Sequence, residues 1–194
     1  MILESLVTTI SPTGLINVAP MGPVTNQRLD RFTLRPFRPS TTHDNLKHSR
    51  SAVIHVSDDV TIFARAVMGR LSPPPPTFPI LDGRCAVLKD CCRYFAVEIE
   101  DWIEDSLRPT LHCRIIACGE VRPFFGFNRA KHAVIESAIL ATRTHLIPAQ
   151  AIDAQLAQLQ SQVDKTACPE DAQAFAELKA YIAKKLRDTL NKQL

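Results

Sequence analysis

Hydrophobic and polar positions alternate with a period of two from Arg31 to Phe37, where Phe32, Leu34 and the ring of Pro36 oppose Arg31, Thr33 and Arg35. This predicts a strand with one buried face, and Pro36 and Pro39 set it at an edge or a strand end. Upstream, residues 3–10 (LESLVTTI) and 15–21 (LINVAPM) are short apolar or β-branched runs joined by Ser11-Pro12-Thr13-Gly14, which predicts an opening β-hairpin. Ala52 to Val56 reads as a buried strand, and Arg93 to Ile99 and Leu111 to Ala117 as two more.

Helical spacing interrupts this series. The hydroxyls of Ser40 to Thr42, followed by Asp44, predict a short helix beginning near Thr42. Asp58 or Asp59 can cap a helix whose Val60, Phe63, Ala64 and Val67 share one face and which ends at Gly69. Leu71 to Pro79 is Pro-rich and reads as a loop. From Asn128 onward β-forming clusters almost disappear. One helix runs from Asn128 to about Thr144 with Val134, Ala138 and Ala141 on one side, and another starts at Pro148 with Ile152, Leu156, Leu159 and Val163. A third follows Pro169 with Phe175, Leu178, Ile182 and Leu186. Strands first and helices afterwards give an α+β architecture, an antiparallel sheet or barrel with helices to one side.

Composition narrows the class. A chain of 194 residues that is 45% hydrophobic and 22% charged folds around a core and is neither disordered nor fibrous. Lys and Arg exceed Asp and Glu by only three, 23 against 20, with no run of five like charges, so no nucleic-acid partner is expected. The opening MILESLVTTI lacks a basic segment, and no apolar run reaches the roughly 18 residues of a membrane span, so a cytoplasmic protein without membrane contact is expected. Six cysteines are too few for a disulfide scaffold and read as reduced thiols. The six glycines fit neither a dinucleotide fingerprint nor a phosphate-binding P-loop.

Familiar catalytic and metal patterns are missing. No serine lies in a G-x-S-x-G elbow, no two histidines are four apart, and no C-x-x-C occurs, so no metal is expected. His112, Cys113 and Cys118 could gather around a metal, but neighbouring strand residues point to opposite faces, which favours a structural reading.

Three stretches carry more chemistry. Pro36 to Asn45 (PFRPSTTHDN) collects Arg38, three hydroxyls and a helix N-terminus, the donors a phosphate monoester needs; an ordinary capped turn is the alternative. Asn17 to Gly22 (NVAPMG) offers small side chains and backbone amides that suit a flat heteroaromatic ring, but any strand ending in a turn has the same look. Arg122 to Lys131 (RPFFGFNRAK) puts cations at a helix N-terminus against the macrodipole, so either a local anion or simple solvation explains them.

Together with Val7 to Pro23 (VTTISPTGLINVAPMGP), Val53 to Ala64 (VIHVSDDVTIFA) and Phe124 to Arg143 (FFGFNRAKHAVIESAILATR), these stretches resemble domain-of-unknown-function family 447. That family is grouped with the flavin-reductase-like FMN-binding split barrels, whose relatives include flavin reductases and pyridoxamine-phosphate oxidases. The resemblance runs from the first residues to about Arg143. It implies a six-stranded antiparallel FMN-binding split β-barrel over residues 1–127, a C-terminal helical region over 128–194 packed on the barrel, and a homodimer with FMN near the subunit interface. By analogy, Arg38, Ser40, Thr41, Thr42 and Asn45 surround the FMN phosphate, while Asn17, Val18, Ala19, Pro20 and Met21 line the isoalloxazine. Asn128 and Arg129 are the candidates to face the ring or a substrate.

Three functions remain open at this point. One is an FMN-dependent oxidoreductase acting on a small organic substrate or on flavin itself, with NAD(P)H as a possible donor. The second is an FMN carrier or sensor without turnover. The third is a partner-binding scaffold that uses the stripe Ile152, Leu156, Leu159 and Val163.

Overall fold

The computed structural model describes residues 1–191. Its elements in chain order are β1 (Ser5–Ile10), β2 (Ile16–Met21), β3 (Val24–Thr25), β4 (Arg31–Leu34), α1 (Thr41–Ser49), β5 (Ser51–Val56) and α2 (Val60–Val67). They are followed by β6 (Thr77–Ile80), β7 (Cys85–Leu88), β8 (Arg93–Ile103), β9 (Thr110–Glu120), α3 (Arg129–Thr142), α4 (Ala149–Thr166) and α5 (Pro169–Asn191). The chain divides into two compact units, one made of Met1–Ser57 and Leu71–Phe124, the other of Asp58–Arg70 and the chain from Phe125 onward. The α2 segment thus belongs to the helical unit, whereas a single cut between residues 127 and 128 would leave it with the strands.

The first unit holds a seven-stranded antiparallel sheet in the order β2-β1-β5-β8-β9-β4-β3, and a separate hairpin of β6 and β7. Seven strands replace the expected six because one strand is broken. Ser5 pairs with Met21, and the same register continues to a bridge between Ile2 and Val24, so β2 and β3 are two parts of one strand interrupted at Gly22 and Pro23. Pro23 has no N–H to give to a ladder. Gly22 lies so close to the facing chain that a Cβ there would come within 2.7 Å of Ile2 Cγ2. Because β3 also pairs with β4, the strand pairing runs round in a ring that leaves the outer side of β2 unpaired. Inside lie Val7, Phe32, Leu34, Ala52, Ile54, Phe95, Val97, Ile99, Leu111 and Cys113, with Leu46 of α1.

Strand β5 is buried on both faces, which is why AVIHV reads as a continuous apolar run. Ala52 and Ile54 join the ring core, while Val53 and His55 are equally inaccessible. His55 bridges two strands: its Nδ1–H donates to the Leu6 carbonyl at 3.0 Å, and its Nε2 accepts from the Leu88 N–H at 3.1 Å. This fixes a neutral tautomer. The Pro-rich segment is a loop only as far as Pro76, since Thr77 to Ile80 form β6 against β7. Pro79 is tolerated there because the hairpin leaves each strand one unpaired side.

In the second unit α2 and its C-cap contribute Val60, Ala64 and Met68 to a core shared with Ala133, Val134, Ile152, Leu156, Phe175 and Leu178 of the other helices. The predicted stripes of α3, α4 and α5 are its buried faces. Asp59 accepts from the Thr61 N–H at 3.0 Å as the cap of α2. Among the described residues no helix is long and apolar enough to cross a membrane.

Burial pushes His55 down from the ordinary imidazole value to about 4, partly opposed by its bond to Leu6. The unfolded chain therefore binds the extra proton first. The stabilisation is complete above pH 6.5 and is lost as pH falls toward 4, by a total of roughly 3 kcal/mol. Urea unfolding should show stability falling between pH 6.5 and 5, and His55→Gln, less stable at pH 7, should show a flatter profile there.

Candidate functional site

The N-terminus of α1 is set by local sequence. Pro36 and Pro39 end the extended run, and Ser40, with φ −161° and ψ 153°, caps the helix by accepting from the His43 N–H at 3.1 Å. The first intrahelical bond runs from the Asp44 N–H to the Ser40 carbonyl at 3.0 Å, so the Thr41 and Thr42 amides lie ahead of the ladder. Thr41 is exposed and Ser40 half-buried. Arg38 stands in solvent two residues before the cap, its Nη1 3.7 Å from the Glu104 carboxylate, a loose pair between two exposed groups. These three residues and the open first turn bring together donors of the kind that suit an anion.

The rest of the predicted cradle is engaged internally. Thr42 and Asn45 are only 5% and 3% exposed. Asn17 Nδ2 donates to Thr42 Oγ1 at 3.0 Å and to Thr9 Oγ1 at 3.4 Å, and Asn45 Nδ2 donates to Thr9 Oγ1 at 3.0 Å. The Thr9 oxygen thereby holds β1, β2 and α1 together. Asn45 gives its amide to this chain, while Thr42 accepts within it and keeps its own hydroxyl proton to donate. Thr9 escaped the sequence reading because a threonine in a strand looks like any β-branched residue. Glu104 and Leu107, from the loop between β8 and β9, escaped for want of any motif.

Asn17, Val18, Ala19, Pro20 and Met21 form β2, half-buried throughout. This strand ends the sheet order, so its outer side carries backbone groups that β1 does not use. Pro20 removes one donor from that edge. The ring-wall and phosphate stretches, distant in sequence, are thus joined by one hydrogen bond from Asn17 to Thr42.

Asn128 and Arg129 lie in the helical unit. Asn128 is a committed cap, with Oδ1 accepting from the Ala130 and Lys131 N–H groups at 2.8 and 3.1 Å and Nδ2 donating to the Thr166 carbonyl at 3.1 Å. Arg129 is exposed at the first position of α3. The cation that runs against the α3 dipole has its own counter-charge: Lys131 Nζ is 3.5 Å from the buried carboxylate of Asp171 and donates to the Asp58 carbonyl at 2.8 Å. The anion anticipated near this segment is therefore, for Lys131, part of the chain itself.

Cys85, Cys91, Cys92 and Cys113 are buried free thiols, and Cys118 and Cys168 are exposed ones. Burial pushes Cys91 to about 11 and Cys113 to about 12, which keeps them protonated at neutral pH. Among the described residues no group of three or more His, Cys, Asp or Glu side chains is arranged to hold a metal.

Comparison with known proteins gives the family. Residues 3–122 match the N-terminal domain model of the family described as "Protein of unknown function (DUF447)", and residues 128–180 match its second model. The chain belongs to the DUF447 family. It is similar in fold to an FMN-bound DUF447 protein of Methanosarcina mazei, with 20% identity, a TM-score of 0.78, and coverage of 93% of this chain and 94% of that one. A flavoredoxin of Methanosarcina acetivorans is similar over 63% of this chain and 74% of its own, with 11% identity and a TM-score of 0.54. A flavin reductase in complex with NADP+ is similar over 64% and 83%, with 15% identity and a TM-score of 0.52. The fold is therefore an α+β split barrel with C-terminal helices. No curated protein matches in sequence.

Thr9→Val should leave the amides of Asn17 and Asn45 without their shared acceptor and lower stability by about 1–3 kcal/mol in urea unfolding. Arg38→Ala, which touches only an exposed pair, should stay within about 0.5 kcal/mol of the parent. Equal losses would mean that the Thr9 bonds do not hold α1 in place.

Proposed function

We propose that this member of the DUF447 family binds FMN on its barrel unit and is an oxidoreductase acting on a small organic substrate or on flavin itself. The observation that carries the reading is the 3.0 Å hydrogen bond from Asn17 to Thr42, which fastens an open, small-residue strand edge to a helix N-terminus. A flavin needs that pairing: a flat surface with backbone polar groups for the ring and a cluster of donors for the phosphate. Similarity in fold to the FMN-bound Methanosarcina mazei protein, over nearly the whole chain, supports it.

The residues present fit an FMN phosphate with a smaller donor set than the sequence implied. Arg38, held only by a loose pair with Glu104, would supply the charge, and Ser40, Thr41 and the first-turn amides of α1 would supply the remaining bonds. Thr42 and Asn45 hold the frame of that site. Asn17 to Met21 would provide the wall for the isoalloxazine, and the outer side of β2 has backbone groups free to meet its polar rim. When bound, FMN supplies hydride or single-electron transfer, and the protein positions and tunes it.

Arg129 is the candidate for a cation that acts in turnover, since Asn128 is occupied as a cap. NAD(P)H is the proposed donor, in keeping with the NADP+ complex of one structural neighbour, and a homodimer is the proposed assembly.

Purified protein is expected to be yellow or to shift the visible absorption of added FMN; protein that leaves the FMN spectrum unchanged overturns the reading. Arg38→Ala should weaken FMN by about one to two powers of ten and riboflavin little, because a hydrogen bond to a charged group contributes roughly 1.5–3 kcal/mol. Equal losses for both flavins would give Arg38 another role. Oxidation of NADPH or NADH with FMN present reports turnover, and its absence with both donors points to a carrier or sensor.

A further inference from the structure

Two loops of the barrel unit meet beside the N-terminus of α1: residues 35–40, which lead into the helix, and residues 104–109, which join β8 to β9. The Arg38 N–H donates to the Leu107 carbonyl at 2.8 Å, and the Arg38 side chain reaches Glu104. Next to this seam the Arg108 guanidinium carbon lies 5.6 Å from the centre of the Phe37 ring. Phe37 is 52% exposed and Leu107 61%. Asp105 holds the second loop in shape by accepting from the Leu107 and Arg108 N–H groups, each at 2.8 Å, and these bonds keep its carboxyl below the ordinary range. An aromatic ring kept in water under a guanidinium that a braced loop carries is a surface suited to stacking.

We infer that Phe37 and Arg108 form a purine-stacking platform, and that the nucleotide site centred on Arg38 also accepts FAD, whose adenylate half lies on this platform. The inference rests on the FMN reading above. In FAD the adenosine is joined through a second phosphate to the same phosphate that FMN carries, so it would leave the Arg38 donors one phosphate away. Phe37 is the adjoining residue, and Leu107, bonded to the Arg38 backbone, adjoins Arg108. Arg38 and Arg35 face Glu104 and Asp105 across the two loops and the Arg108 guanidinium lies over Phe37, so three cations meet two carboxylates where a pyrophosphate would sit. The flat guanidinium of Arg108 and the ring of Phe37 both stack on heteroaromatic bases, and such stacking tolerates any purine.

The test is titration of FMN and FAD against the full chain, Phe37→Ala and Arg108→Ala, read as the ratio of FAD to FMN affinity. The parent protein should bind FAD about tenfold or more tightly than FMN, as expected of one stacked base. Phe37→Ala should bring the ratio close to one, and Arg108→Ala should lower it. Both side chains are exposed, so folding survives either change. A ratio near one in the parent, or one that Phe37→Ala leaves intact, overturns the platform and leaves the FMN reading standing. Failure to bind either flavin overturns the FMN reading, and the platform with it.

Discussion

The barrel unit depends on a shared acceptor. Thr9 Oγ1 takes hydrogen bonds from Asn17 and Asn45, and through them a strand edge and a helix are held in one arrangement. Buried amides without partners are costly, so the chain has few other ways to dock α1 against β1 and β2. The constraint also divides labour along the helix. Its inward residues Thr42, Asn45 and Leu46 face the barrel, while the first turn is left with Arg38, Ser40 and Thr41 on its outer side. A binding surface of mobile side chains would lose affinity to ordering; one mounted on a fixed helix end does not.

Much of the fold was legible because it follows from periodicity. The alternation at Phe32 and Leu34, the continuous run of β5, and the stripes at Ile152, Leu156, Leu159 and Val163 are all buried where their spacing places them. What was not legible depended on partners distant in the chain. Nothing in VTTISP says that Thr9 meets Asn45, and nothing in TFPI says that Pro79 has an unpaired side to spare. The division of one strand into β2 and β3 required knowing that Ile2 would face Gly22. The assignment of α2 to the helical unit had the same origin, since its amphipathic face suits either core and only the fold chooses.

The candidate site was legible as chemistry and less so as division of roles. A run of hydroxyls near an arginine was visible, but hydroxyls and amides serve equally as ligands and as internal ties, and burial decides between them. Thr41 and Thr42 are neighbours in sequence with opposite exposure. Lys131 teaches the same lesson: a cation placed against a helix dipole meets a carboxylate from a helix some forty residues away in sequence, Asp171. Such a pair stays hidden until the helices have assembled.

The break at Gly22 and Pro23 gives the ring a seam. On one side only the two residues of β3 pair with β4, whereas β8 and β9 share a ladder of eleven-residue strands. Local opening follows the shortest ladder, because fewer bonds are lost and less apolar surface is wetted. The amide protons that join β3 to β4 will then exchange with solvent well before those of β8, and the barrel will breathe at this joint while its opposite wall stays shut.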